Sequence, residues 1–152
     1  MTISVGVNQT PGIPSIIDPY QAELGGIYAY VAFITDFVHK HELDGTSITI
    51  GCDCTSALWN VFQKPTCSPQ TSHFDLLSET RALVAKSPVN WRTHYVKGHQ
   101  DKTTTYSNLD RWGQLNVDMD NLAKLHWQEI VARSTKTPFL SSPFGYMVDM
   151  AK

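Results

Sequence analysis

The chain has 152 residues, the size of one compact domain, and its 41 % hydrophobic content suffices for a core, which excludes a disordered chain. Its 12 Lys and Arg against 14 Asp and Glu give a formal charge of -2, which excludes a generic polycationic nucleic-acid binder. No apolar run reaches the roughly 18 residues of a membrane span, Met1–Val5 shows no secretory signal, and three cysteines fit reduced thiols, so the expectation is an intracellular chain (cytoplasm or nucleus).

Thr2-Ile3-Ser4-Val5-Gly6-Val7 alternates and reads as a strand. Residues 8–17, with Asn8, Pro11, Gly12 and Pro14, read as loop. Asp18-Pro19 opens the clearest helix. Asp is a good N-cap, and Pro suits the first helical position because its missing N–H would be unpaired there anyway. Leu24, Ile27, Tyr28, Val31, Ile34 and Val38 recur on one face at helical period. The helix is expected to end near residues 39–42, before Asp44-Gly45. Gly25-Gly26 conflicts with helix propensity, and a backbone packed closely on the pair would explain it.

Thr46–Cys52 reads as a strand with Ile48 and Ile50 on one face and Asp53 at its C-terminal end. Ser56–Phe62 reads as a short helix, stopped by Lys64-Pro65, and residues 63–71 as loop. Ser72 is expected to begin the next helix in a capping-box-like pairing with Asp75, with Leu76, Leu77, Leu83 and Val84 as the apolar face. Val89–Val96 reads as a strand that turns out through Lys97-Gly98-His99, and residues 100–114 as polar loop. The last helix is expected over Leu115–Ala132, with Met119, Leu122, Ala123 and Ile130 inward. Residues 133–152 read as a tail or linker. This order is α/β, around a parallel or mixed sheet, with any site at the C-terminal edge of the strands.

Four residues from separate elements stand out. Glu23 lies early in the first helix, Asp53 ends a strand, His99 follows a strand, and Asp120 lies in the last helix. Singly, each has an ordinary reading. Asp53 can cap the following helix, Glu23 and His99 can be solvated, and Asp118 and Asp120 can serve a helix dipole. Together, converging carboxylates would repel unless a cation lay between them. Hard oxygen ligands of this kind suit Mg²⁺ or Mn²⁺. Two such ions about 4 Å apart are the usual arrangement for in-line phosphodiester hydrolysis, and a loop His beside them can move a proton.

The phrases Ala22-Glu23-Leu24, Asp53-Cys54-Thr55-Ser56, Val96-Lys97-Gly98-His99 and Asn116 followed by Asp120-Asn121-Leu122-Ala123 resemble the ribonuclease H type 1 family, in order and in spacing. The resemblance covers residues 2–132. It implies a ribonuclease H-like mixed sheet flanked by helices. It implies that Glu23, Asp53 and Asp120 are metal-binding acids, that His99 is the catalytic loop histidine, and that Asn116 contacts substrate. It also implies two Mg²⁺ ions (or Mn²⁺) and cleavage of the RNA strand of an RNA–DNA hybrid, with RNA distinguished through its 2′-OH.

One departure is central. The family's first catalytic Asp, on its first strand, has no counterpart here, because the one acid ahead of Glu23 is Asp18, which reads as the helix cap. Residues 2–7 then match the family's third strand, and its first two strands are missing. The expectation is an inactive or weak nuclease, with the strand ending at Asp53 left at an exposed apolar edge unless the N-terminal strand pairs there. The alternative is a non-catalytic nucleic-acid-binding or structural remnant of a retroelement polyprotein. An integrase or transposase core also uses clustered acids, but the Val96–His99 loop and the Asp120–Ala123 helix count against it. The short loop 63–71 leaves no room for a basic protrusion, which favours a domain beside a retroelement reverse transcriptase polymerase.

Other residues draw attention less strongly. Cys52 and Cys54 lack two further ligands at suitable spacing for Zn²⁺. His39 and His41 suit the end of the first helix. Trp91 and Trp127 read as core. Trp112 is the best candidate to stack on a base, with a place in the fold as the other reading. Lys97, Lys102 and Arg111 either meet phosphates or lie in a solvated loop.

Overall fold

Asp18 opens the first helix of the computed structural model, which describes residues 18–134. The expected strand 2–7 and all of the expected tail beyond Ser134 lie outside the described residues. Helix α1 spans Pro19–Lys40, and the Asp18 carboxylate accepts the Gln21 N–H at 2.7 Å. Leu24, Ile27, Val31 and Val38 form its buried stripe. His39 and Lys40 occupy its last turn, where the carbonyl ends favour cations, and the His41 ring lies 4.4 Å from that of Phe37. Gly25 is buried, but a Cβ on Gly26 would meet nothing within 4 Å among the described residues. Close packing therefore does not account for Gly26, and nothing in the structure explains it.

Strand β1 spans Ser47–Cys52 and β2 spans Asn90–Tyr95. They pair in parallel, from Ser47 with Asn90 to Cys52 with Tyr95. Parallel strands need a long crossover. It is made by α2 (Thr55–Leu58), a π-helical turn over Trp59–Gln63, and α3 (Phe74–Lys86). The expected Ser72–Asp75 capping box does not form. Helix α3 starts at Phe74, and His73 before it sits in left-handed backbone at φ 57° with no side-chain cap. The His73 ring instead reaches Asp18 at 2.9 Å and ties the starts of α1 and α3 together. A tertiary contact outweighs the local capping preference here.

The core gathers Leu24, Ile27 and Val31 of α1, Ile50 and Cys52 of β1, Ala57, Leu58 and Val61 of the crossover, and Leu77 of α3. Trp91 packs half-buried against it, beside Tyr30 and Phe62, and its buried indole N–H has no partner among the described residues. The last helix, α4, spans Arg111–Ser134 and starts a turn earlier than expected. Asp110 Oδ1 accepts the Gly113 N–H at 2.7 Å, which nucleates the helix there. Two short 3₁₀ turns, Gln100–Lys102 and Tyr106–Asn108, lie in the stretch expected to be plain loop. Met119, Ala123 and Trp127, all expected to be buried, are exposed, with Trp127 at 56 %. Spacing alone placed them inward, but the buried side of α4 is set by the few elements it touches. The described elements form a mixed α/β arrangement, and no helix among them is long and apolar enough to cross a membrane.

Candidate functional site

Parallel pairing brings the C-terminal ends of β1 and β2 to one edge. The Val96 N–H donates to the Cys52 carbonyl at 3.0 Å, so pairing continues one step past β2 before the chain turns at Lys97-Gly98-His99. The turn folds onto Asp53, just after β1. A Cβ on Gly98 would lie 2.6 Å from Asp53 Oδ2. Only glycine lets this backbone come so near the carboxylate. His99 follows in left-handed backbone at φ 54° and is exposed, as is Lys97. Backbone held in this region tends to mark functional turns.

Glu23 reaches the same edge from α1. The nearest donor atoms of Glu23, Cys52 and Asp53 all lie within 4.8 Å of one another. The Cys52 thiol donates to Glu23 Oε2 at 3.4 Å and accepts the Cys54 N–H at 3.3 Å. Burial pushes the Cys52 thiol up to about 12, so it is neutral where it donates to Glu23. Cys54 turns instead to Ser56, 3.3 Å away, so the two cysteines serve different neighbours.

Burial raises the Glu23 carboxyl above its usual range, and the charges of Asp53 and Asp120 push it further, while the Cys52 hydrogen bond opposes them. Asp120 is thus felt at Glu23, but the tight group of donor atoms consists of two acids and a thiol, not three acids. Among the described residues the one ion pair is Asp18–His73, so no protein cation offsets Glu23 or Asp53. Two adjacent carboxylates with a third acid near them suit a hard divalent cation, to which a neutral thiol adds little.

Asn116 and Asp120 stand one helical turn apart on α4, on one side of it, and both are half-buried. Trp112 lies in the first turn of α4 rather than in a loop. Its ring stacks on His94 of β2 at 4.6 Å and 26°, and it covers Gly51 of β1. Gly51, Cys52, His94 and Gly98 were not legible as site residues from spacing alone. A glycine inside a strand signals a close approach, and Gly51 carried that signal. No protein-family model matches the chain, and no curated protein and no solved structure matches it.

Proposed function

We propose that this chain is a ribonuclease H-like domain whose chemistry is metal-dependent hydrolysis of the RNA strand of an RNA–DNA hybrid. The observation that carries the reading is the meeting of Glu23 with Asp53 under the Gly98 turn, within the electrostatic reach of Asp120. Those three acids would hold Mg²⁺ or Mn²⁺, which when bound activates water and offsets charge developing on the phosphate. The exposed His99 would move a proton at the edge of the site. Lys97 would meet a backbone phosphate, and Asn116 would hydrogen-bond the sugar–phosphate backbone. Outside this site the near-neutral chain offers little grip on nucleic acid, in keeping with a domain that works beside a reverse transcriptase polymerase.

One observation favours a second reading, a non-catalytic nucleic-acid-binding or structural module. The Asp18 carboxylate caps α1 and pairs with His73, so it is engaged away from the Glu23–Asp53 pair and adds no further metal-binding acid there. The test is Mg²⁺-dependent cleavage of a labelled RNA–DNA hybrid, with Asp53→Asn and Asp120→Asn as controls and circular dichroism to show folding. Cleavage that both variants lose supports the nuclease. Cleavage that both retain puts the active centre elsewhere. Metal binding by the folded chain without cleavage supports the second reading.

A further inference from the structure

Gly51 and His94 are partners in the β1–β2 register, and the Trp112 indole covers both. A Cβ on Gly51 would lie 2.6 Å from Trp112 Cζ3 and 2.7 Å from Cε3, so the ring occupies the space that any side chain would need. The start of α4 is fixed on other sides as well. Asp110 caps it at the Gly113 N–H, the Gln114 side chain donates to the Tyr106 carbonyl at 3.2 Å, and the Tyr106 hydroxyl donates to Asp118 at 3.0 Å. Gly51 lies on β1 two residues before Asp53, which follows the strand, and Trp112 precedes Asp120 on the same unbroken α4. A helix rises about 1.5 Å per residue and acts as a stiff arm over this span.

The geometry points to Trp112 as a positioning residue: seated on Gly51 and His94, it sets α4 against the sheet so that Asp120 is held toward the Glu23–Asp53 pair. This role rests on the metal-site reading proposed above. The ring is half-buried and stacked within the protein, so it acts through Asp120 and not as a platform for a base.

The test is Mn²⁺ binding by the full chain, followed by loss of the free-ion paramagnetic resonance signal, a readout that needs no tryptophan. Trp112→Ala and Gly51→Ala should each weaken Mn²⁺ binding about 10- to 100-fold, as loss of outer-shell support does. Trp112→Phe should restore most of the affinity. In an Asp120→Asn background, Trp112→Ala should add little, because the two residues act as one unit. Should Trp112→Ala fail to fold, Gly51→Ala, which keeps the indole but displaces it, decides in the same cycle. Losses that add fully, or no loss at all in a chain that binds Mn²⁺, would overturn the positioning role and leave the metal site standing. A folded parent chain that does not bind Mn²⁺ would overturn the site, and the role of Trp112 with it.

Discussion

Gly98 lies against the Asp53 carboxylate so closely that a Cβ there would stand 2.6 Å from Oδ2 and 3.4 Å from the Asp53 Cβ. The loop backbone therefore forms one wall of the acid site. Gly98→Ala must push the turn away or swing the carboxylate out of place. The expected outcome is a loss of divalent-cation affinity of about 10- to 100-fold, with a change in stability near the ~0.5 kcal/mol of an ordinary surface substitution. Calorimetric Mn²⁺ titration beside a thermal melt checks both. Unchanged affinity would mean that the turn yields freely and does not shape the site.

Glu23 makes the folded chain pH-sensitive in a direction that can be stated. Burial, then repulsion from Asp53 and Asp120, raises its folded carboxyl above the ordinary value of 4.5. The folded state therefore prefers the protonated form. The stability this contributes is fully present below 4.5 and is lost as pH rises through the raised folded value. Without metal, Glu23→Gln should melt at a higher temperature than the parent at pH 7, with the gap closing toward pH 4.5. A gap that widens on acidification would show that Glu23 is held ionised. Added Mn²⁺ should stabilise the parent more than Glu23→Gln.

Asp18 has the opposite sign. The Gln21 N–H and then His73 lower its carboxyl below 3.8. Its contribution is present above 3.8 and lost as pH falls through the lowered folded value. Asp18→Ala should therefore narrow the parent's loss of melting temperature in that acid range. An equal acid loss in both proteins would show that the cap and the His73 contact do not couple to folding.

Gly26 stands in the interior of α1, exposed, where a Cβ would meet nothing within 4 Å among the described residues. Gly26→Ala should stabilise the protein by about 0.5–1 kcal/mol, because Ala loses less backbone freedom on folding. Denaturant unfolding measures this directly. Destabilisation would reveal a close neighbour at that face of α1.

Leu77 is fully buried where α3 meets the core. Leu77→Ala should cost about 2–5 kcal/mol through lost burial and the cavity left behind. The same unfolding measurement applies, and a cost under about 1 kcal/mol would mean that the site collapses freely or is poorly packed.

Local signals decide much of this molecule. The Asp18-Pro19 cap, the apolar stripe through Leu24 and Val31, and the β-branched run at Ile48 and Ile50 each act within a few residues, so α1 and β1 were legible in the sequence. The proximity of Glu23 and Asp53 was foreseen from the order of the family-like phrases, whereas the strand order placed only Asp53 at the sheet edge. Contacts between distant segments were not legible. His73 stands where Ser72 was expected to cap α3 and turns its ring to Asp18, and Trp112 leaves its expected loop to sit on Gly51. Cys52 turns its thiol to Glu23, and the exposed side of α4 carries Met119 and Trp127.

The sequence by itself determined the start of α1 and the run of β1 that ends at Asp53, because capping, periodicity and backbone propensity are short-range. Only the tertiary structure decided that a neutral thiol, and not Asp120, completes the tight group around Glu23 and Asp53. It also decided that two glycines, Gly51 and Gly98, leave the room for an indole and a carboxylate. Those outcomes depend on which surfaces meet across the fold, and a surface has no partner until the chain has packed.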